Sequence, residues 1–282
     1  MRSTSKTAFW LATALLVSLA MPAWGQQPSI PQFWDAKERL IKPDISMLPR
    51  VRFLTTIDFP PFNYIDANGL ITGLHVDLAR AICAQLEILD RCQIQALPWE
   101  ELEGAIERKE GDAIIAGLAI SPENREKYAF TRSYMRFPAR FAVRRNGMLD
   151  EPLYKSLEGK RVGVVAGSEH EAMLRDYFPK AKPVTYTRSE WMYEDLRDGK
   201  TDALFSDGMR LSYWLAAPEA RDCCAFAGGP YLAPEYFGSG LAIAVSRDNA
   251  ALADAFDYAL REINVSGKFG EFYLRYFPLS FF

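Results

Sequence analysis

An arginine follows a helix start in the stretch SPENREKYAF, residues 121–130. Ser121 is a residue type that caps helix N-termini, and Pro122 suits the first helical position. Arg125 is then expected in the first turn, close to the positive end of the helix dipole, where a cation is mildly disfavoured. A guanidinium can hold both oxygens of a carboxylate at once, which an ammonium cannot. The stretch therefore indicates that Arg125 binds an anion.

Four cysteines form two candidate pairs. Cys83 is expected near the end of a helix and Cys92 at the start of the next strand, so we predict a disulfide between them. For the adjacent Cys223 and Cys224, a vicinal disulfide, free thiols and an intermolecular bridge all remain open. The chain has two histidines and no Cys-x-x-Cys spacing, so neither a metal site nor a cofactor is predicted.

The first 25 residues have the pattern of a secretory signal peptide. Arg2 and Lys6 form a basic start, AFWLATALLVSLAMPAW is the apolar stretch, and Ala23 and Gly25 are small residues at the cleavage position. Their removal takes away two basic residues and no acidic one, which moves the formal net charge from −3 to −5. This mild negative charge argues against a nucleic-acid partner. We predict an exported, soluble mature chain that starts near Gln26.

Strand and helix patterns alternate from Val51 onward. The runs RVRFLTTI, CQIQALP and GDAIIAGLAI are typical of strands, the last being apolar throughout, as in a strand covered on both faces. HVDLARAICAQL and WEELEGAIERK have helical spacing and lie between them. This order predicts an α/β fold with parallel strands and right-handed crossovers. The proline-punctuated residues 26–49 before it are expected to pack on the domain as an N-terminal extension.

The same order begins again with the strand pattern KRVGVVAG and ends with TDALFSD. The segments ERKEGDAIIAG and LRDGKTDALFSD match most closely, since both run from a helix end through Asp-Ala into an apolar strand. Two such units would turn the carboxyl ends of their strands toward a shared crevice, which is where open α/β sheets bind ligands.

This ordered set of motifs resembles the family 3 extracellular solute-binding proteins, which serve polar amino-acid ABC importers. The matching stretches run from Val51 to Phe277 and include FPPFNYIDANGLITGLHVDLARAIC, GDAIIAGLAISPENREKYAFTRSY and GKRVGVVAGSEHEAML. The resemblance implies an α/β periplasmic binding protein of type II. Its two lobes would each be a mostly parallel sheet flanked by helices, with two crossover strands as the hinge. The predicted boundaries are 1–25 for the signal peptide, 26–49 for the extension, 50–137 and 239–282 for lobe 1, and 138–238 for lobe 2.

The resemblance also implies a ligand site. Phe59 and Trp99 correspond to aromatic walls of the family's site. Ordinary core aromatics are the alternative interpretation, but both residues are expected just past strand ends, which favours ligand contact. Gly167 and Ser168 correspond to a carboxylate-binding helix N-terminus, where Ser168 could equally be a simple cap. Asp207 corresponds to the amine-binding aspartate, with a solvated loop residue as the alternative.

Three small residues before the helix start complete the expected site. Ala116 and Ala119 stand where the family often has hydroxyl side chains, and with Gly117 between them they are expected to touch the ligand. Both alanines depart from the family pattern and leave the ligand's identity open.

The family's arginine is also displaced by one residue. Its usual place, three residues after the serine, is occupied by Asn124, and Arg125 follows. One residue on a helix is a rotation of about 100°. Arg132 or Arg140 is therefore an alternative partner for the ligand carboxylate.

The sequence predicts a monomeric receptor without catalytic activity. It would capture a small amino acid-like or carboxylate ligand between its lobes and deliver it to an ABC permease in the inner membrane. One alternative is an enzyme on the same scaffold, similar to the cyclohexadienyl dehydratases, with Glu100 or Glu169 as general acid. Another is a periplasmic adaptor that binds a protein partner. No Ser-His-Asp or Cys-His constellation supports the enzyme.

Overall fold

The computed structural model describes residues 30–35 and 37–282 of the 282-residue chain. The predicted signal peptide lies outside the described residues. Within the described residues no helix is long and apolar enough to cross a membrane.

The strands fall into two five-stranded sheets and one small three-stranded sheet. In chain order they are β1 (Val51–Thr55), β2 (Asp58–Phe59), β3 (Asn63–Ile65), β4 (Ile71–Thr72), β5 (Cys92–Ala96), β6 (Ala113–Ile114), β7 (Tyr128–Phe130), β8 (Ala139–Arg144), β9 (Arg161–Val165), β10 (Lys182–Tyr186), β11 (Ala203–Asp207), β12 (Cys224–Tyr231) and β13 (Ala244–Ser246).

Helices cover the sheets and connect their strands. They are α1 (Leu74–Gln85), α2 (Leu102–Glu107), α3 (Pro122–Lys127), α4 (Leu153–Ser156), α5 (Glu169–Tyr177), α6 (Ser189–Arg197), α7 (Gly208–Ala216), α8 (Pro218–Arg221), α9 (Pro234–Phe237), α10 (Ala250–Val265) and α11 (Lys268–Tyr276). Short 3₁₀ turns lie at Leu89–Arg91, Trp99–Glu101, Arg145–Gly147 and Arg247–Asn249.

The two large sheets have the same topology. Sheet 1 has the order β5-β1-β6-β13-β7 and sheet 2 the order β10-β9-β11-β8-β12. In each, the first three strands are parallel, the fourth runs antiparallel to them, and the fifth runs antiparallel to the fourth. Four of the five strands in each sheet therefore point the same way, which confirms the predicted α/β class with two mostly parallel sheets.

The strand predicted from GDAIIAGLAI is shorter than its apolar run suggested. Only Ala113 and Ile114 pair as β6. Gly117 has a φ of +88°, a conformation that favours glycine, and it turns the chain away from the sheet. Hydrophobicity alone did not reveal this turn, because Ile115 and Ala116 are also buried.

An arginine–aspartate clamp joins the second strand of the sheet order to the third in both large sheets, β1 to β6 and β9 to β11. The backbone N–H and Nε of Arg52 donate to Oδ2 of Asp112 at 2.8 and 3.1 Å. The same two groups of Arg161 donate to Oδ2 of Asp202 at 2.8 and 3.2 Å. In each clamp the arginine Nη2 also donates to the carbonyl three residues before the aspartate. Each aspartate precedes the third strand of its sheet, so the same contact joins the corresponding strands in both units.

Two segments cross between the sheets and pair with each other. Met135 and Leu241 form an antiparallel bridge, with the Leu241 N–H 2.7 Å from the Met135 carbonyl. Thr131 adds a bond from its N–H to the Ile243 carbonyl at 2.9 Å. The chain therefore passes between the two sheets along a hydrogen-bonded pair of segments, as the predicted hinge requires.

The residues before β1 and after α11 pack on sheet 1. Trp34 and Ile45 belong to the same buried cluster as Phe53 of β1 and Phe281 near the end of the chain. Burial of such side chains is worth about 1.5–3 kcal/mol each. The region from residue 30 to residue 48 thus takes part in the core of this half of the molecule.

Both cysteine pairs are disulfides in the structure. Cys83 at the end of α1 is joined to Cys92 at the start of β5, which confirms the prediction. Cys223 and Cys224 are joined to each other, the first of the three possibilities left open by the sequence.

Candidate functional site

A cavity of about 300 Å³ lies at the carboxyl ends of β9 and β11. Its lining combines three serine hydroxyls with an aspartate, a histidine and an arginine: Val165, Ser168, His170, Ser189, Ser206, Asp207 and Arg210. The cavity thus brings together Ser168 and Asp207, two of the predicted site residues, at the strand ends where α/β proteins bind ligands.

Ser168 caps α5, and a glutamate already lies at the same helix start. The Ser168 Oγ accepts from the Glu171 N–H at 3.2 Å and donates to the Val165 carbonyl at 2.6 Å. The Glu171 carboxylate accepts from the Gly167 N–H at 2.7 Å and binds Arg175. This capping box occupies the Gly167 donor, so a bound anion would use the remaining N–H groups of the first turn.

Asp207 caps α7 and is half-buried. Its Oδ1 accepts from the Arg210 N–H at 2.8 Å. Burial raises the pKa of Asp207 above its ordinary value of 3.8, while the backbone bond from Arg210 and the charge of that residue act in the opposite direction. One oxygen of this half-buried carboxylate accepts the cap hydrogen bond, and the other can accept a hydrogen bond from an ammonium group. The positive charge of that group would stabilise the ionised form of the carboxylate.

His170 forms an aromatic wall of this cavity and is uncharged at neutral pH. Its ring stacks on Phe237 with centroids 4.6 Å apart. Burial, assisted by the charge of Arg210, lowers the pKa of His170 from 6.5 to about 4. His170 therefore adds no charge to the cavity at pH 7, and the acidic and basic side chains of its lining are Asp207 and Arg210.

A second cavity of about 520 Å³ adjoins the first and faces both halves of the molecule. Pro60 and Pro61 follow β1 and β2 on one side, and the other side consists of residues from α6 and α7: Ser189, Glu190, Tyr193, Met209, Arg210 and Tyr213. Ser189 and Arg210 line both cavities. Together the two form a continuous candidate cleft.

Phe59 and Gly117 lie together on the sheet 1 side. A Cβ atom at Gly117 would stand 3.1 Å from Cε1 of Phe59, so the glycine gives the ring its room. The Phe59 ring also stacks on Phe62 with centroids 4.7 Å apart. Phe59 is half-buried and Ala116 is buried next to this turn, so the ring is packed on Phe62 and remains partly exposed.

Of the nine predicted site residues, Ser168 and Asp207 alone line the two cavities. Phe59, Ala116, Gly117 and Gly167 line neither, and the same holds for the remaining three, Trp99, Ala119 and Arg125. Trp99 follows β5 in a 3₁₀ turn and is 49% exposed. Ala119 is exposed, and its carbonyl accepts from the Asn124 side chain at 2.8 Å. Arg125 is exposed as well, and neither cavity is lined by it.

The expected position of Arg125 in its helix was wrong. Ser121 does cap α3, accepting from the Asn124 N–H at 3.1 Å. The helix has only six residues, however, and Arg125 lies in its last turn rather than its first. A cation there is favoured by the helix dipole, so the position of Arg125 no longer requires an anion.

The two alternative arginines have other partners. Arg132 forms an ion pair with Glu38 of the N-terminal region. Arg140 is 8% exposed, donates to the Phe281 carbonyl at 3.0 Å and lies 4.4 Å from the centroid of the Phe226 ring. Both therefore stabilise contacts between segments of the chain.

Sequence reasoning missed Ser189, Ser206, Arg210 and the wall formed by His170. Ser206 and Ser189 could have been found from their positions, because each lies at or just after a strand's carboxyl end. Arg210 gave no such signal: it lies inside a helix, and its proximity to Asp207 comes from the cap at the start of α7. No group of three or more metal-ligating side chains is found among residues 30–35 and 37–282.

The sequence matches the family model of the bacterial extracellular solute-binding proteins, family 3, over residues 51–279. It is 30% identical over 233 residues to the ABC transporter arginine-binding protein 1 of Escherichia coli (strain K12), covering 83% of this chain and 93% of that protein.

Two solved structures share this fold, one named as a substrate binding domain and the other as an enzyme. The second substrate binding domain of a putative amino acid ABC transporter from Streptococcus pneumoniae Canada MDR_19A has a TM-score of 0.66 at 23% identity, with 81% of this chain and 100% of that chain covered. An ancestral cyclohexadienyl dehydratase has a TM-score of 0.67 at 20% identity, with coverage of 83% and 95%. At these identities the two structures establish the type II periplasmic binding protein fold. With the family match over four-fifths of its length, the chain belongs to the bacterial extracellular solute-binding proteins of family 3.

Proposed function

We propose that this solute-binding receptor captures a small amino acid or related carboxylate in the cleft between its two sheets. The observation that carries the proposal is the cavity lined by both Ser168 and Asp207, the caps of α5 and α7. Asp207 would bind the ligand's ammonium group, and the first turn of α5 would bind its carboxylate. The arginine-binding relative in Escherichia coli supports an amino acid as the ligand class.

The opposite lobe would close over the ligand. The Phe59 ring lies beside Gly117 and is partly exposed there, and Trp99, Ala116 and Ala119 follow strand ends of the same sheet. Arg125 is proposed to reach the ligand carboxylate on closure. A hinge made of two paired segments permits such a rotation.

We further propose that the protein does not turn its ligand over. Glu100 and Glu169, the two candidate general acids, are both exposed to solvent. A general acid for ring chemistry needs a site that excludes water and raises its pKa. The dehydratase neighbour shares the fold and carries no argument for its activity.

The proposal also covers how the receptor is exported and how, as a monomer, it delivers its ligand. Cleavage after residue 25 would release the receptor into the periplasm, where the two disulfides persist. The loaded monomer would then dock on the permease of an ABC importer in the inner membrane, as the names of the relatives suggest.

Thermal unfolding with a panel of amino acids and organic acids tests this function. A ligand at 100 times its dissociation constant should add about 2.7 kcal/mol to the free energy of unfolding. Asp207→Asn is the control, because asparagine still caps α7 but removes the charge that binds the ammonium group. Mass spectrometry of the ligand after incubation should recover it unchanged. If no compound shifts the melting temperature and a protein co-purifies, the adaptor function is correct; a converted ligand would establish an enzyme.

A further inference from the structure

Arg210 is a charged residue of the cleft to which the proposed function gives no role. Its side chain lines both cavities, at the junction between them. Among the described residues, no carboxylate forms an ion pair with its guanidinium and no acceptor forms a hydrogen bond with it. Its backbone N–H alone is engaged, by the Asp207 cap.

The charge of Arg210 acts on the groups around it. It assists burial in lowering the pKa of His170, and it opposes burial at Asp207 and at Tyr193 of the second cavity. The guanidinium is thus close enough to a ligand in either cavity to attract or repel charge on it.

Neither acidic residue of the cleft, Asp207 or Glu190, forms an ion pair with the Arg210 guanidinium. Asp207 is reserved for the ligand's ammonium group and holds the start of α7. Glu190, the acidic residue of the second cavity, is paired with Arg188 at 3.4 Å. A ligand with a cationic side chain would therefore meet a like charge, whereas an acidic side chain would find a partner with donors in a planar fork.

We propose that Arg210 binds an anionic group on the ligand's side chain, so that the receptor prefers acidic amino acids to cationic ones. This rests on the proposed function, since Asp207 and the start of α5 must hold the ammonium and carboxylate groups common to all amino acids. It also separates this chain from its arginine-binding relative, for which the side chain is cationic.

Calorimetry with L-glutamate, L-glutamine and L-arginine tests the proposal, because the first two differ mainly in charge. The wild-type protein should bind glutamate about 10- to 100-fold more tightly than glutamine, as expected for a hydrogen bond to a charged group. Arg210→Met should bring the two affinities close together, and Arg210→Lys should retain part of the preference. Arg197→Met is the matched control: it removes an exposed arginine at the end of α6 that lines neither cavity.

Each other outcome overturns the proposal in a recognisable way. Equal losses for glutamate and glutamine in Arg210→Met would assign Arg210 to the common carboxylate. Tighter binding of arginine than of glutamate by the wild type, or an unchanged preference in Arg210→Met, would show that the residue does not select the side chain. If no member of the larger panel binds the wild type, the proposed function itself fails.

Discussion

His75 shows how a single buried residue can make stability depend on pH. It is fully buried on α1, with Nδ1 2.7 Å from Oδ1 of Asn63 and Nε2 2.8 Å from the Tyr134 hydroxyl. The Asn63 amide in turn donates to Oγ1 of Thr56 at 2.6 Å. Burial lowers the pKa of His75 from 6.5 to about 3, so the folded protein holds it neutral. His75 is therefore a structural residue that joins Asn63 to Tyr134.

Stability should therefore fall as the pH drops below 6.5. Between pH 6.5 and 3 the unfolded chain binds a proton at this site that the folded protein does not, which lowers the free energy of unfolding by about 1.4 kcal/mol per unit. Urea denaturation at pH 7.5 and pH 5 should show a loss about 2 kcal/mol larger in the wild type than in His75→Gln. Comparing the two proteins cancels the contributions of the titrating groups that both contain. One of these is Asp257, whose pKa is raised to about 6 by burial. Parallel pH curves would mean that His75 does not titrate between the states.

Arg125 is the other residue whose role can be decided by substitution. If it reaches the ligand carboxylate on closure, Arg125→Lys should weaken binding by about 2–5 kcal/mol. Asn124→Ala is the neighbouring control; it removes the bond to the Ala119 carbonyl and should cost about 1 kcal/mol of stability but little affinity. Calorimetry with the best ligand of the panel measures both. Small, equal effects would exclude Arg125 and Asn124 from the cleft.

At the scale of elements, sequence patterns were reliable where one physical signal dominated. Helix α1 and strands β1 and β9 lie within a residue or two of their predicted positions, because apolar spacing and burial agree there. Strands β7, β8 and β12 had no such signature, since their antiparallel partners come from distant parts of the chain. The strands of the small sheet are only two or three residues long, too short to show a pattern. The ends of two helices determine where site residues lie. Because α3 has only six residues, Arg125 lies in its last turn, and because Asp207 caps α7, Arg210 of that helix lies close to Asp207.

The Cys83–Cys92 bond joins two of these elements, and its contribution can be isolated. It closes a loop of about ten residues from α1 to β5, for which the chain-entropy model gives about 2–3 kcal/mol. Chemical denaturation of the Cys83→Ala, Cys92→Ala double variant should show that loss. The matched Cys223→Ala, Cys224→Ala variant also removes a partly buried disulfide, but one between adjacent residues that closes no loop, so its loss should be smaller. Equal losses would indicate that packing, not loop closure, is responsible.

At the scale of the whole molecule, the two sheets are connected by more than the crossing segments. The Tyr213 hydroxyl on α7 donates to the Tyr276 carbonyl on α11 at 2.6 Å, and Arg140 on β8 donates to Phe281. Gly208 and Gly229 make room for the Arg140 side chain, since a Cβ at either would lie about 3 Å from it. The Arg140 guanidinium thus joins β8 of sheet 2 to a segment buried against sheet 1.

Ligand binding should change the shape of the molecule if the lobes close. Small-angle X-ray scattering should show a smaller radius of gyration at saturating ligand than without it, since closure brings the two sheets together. Asp207→Asn at the same ligand concentration should stay near the unliganded value. An unchanged radius for the saturated wild type would mean that the ligand binds without a hinge motion.

The two arginine–aspartate clamps have a consequence for the history of the chain. They repeat not only the residue types but also the donor atoms, the acceptor oxygen, the extra carbonyl and the position relative to the second and third strands of the sheet order. Duplication of a single βαβαβ unit would account for all of these at once, whereas separate origins would have to reproduce each contact. The two units differ where they face the cleft: one bears an aromatic ring beside a glycine turn, and the other bears charged and hydroxyl groups at helix starts.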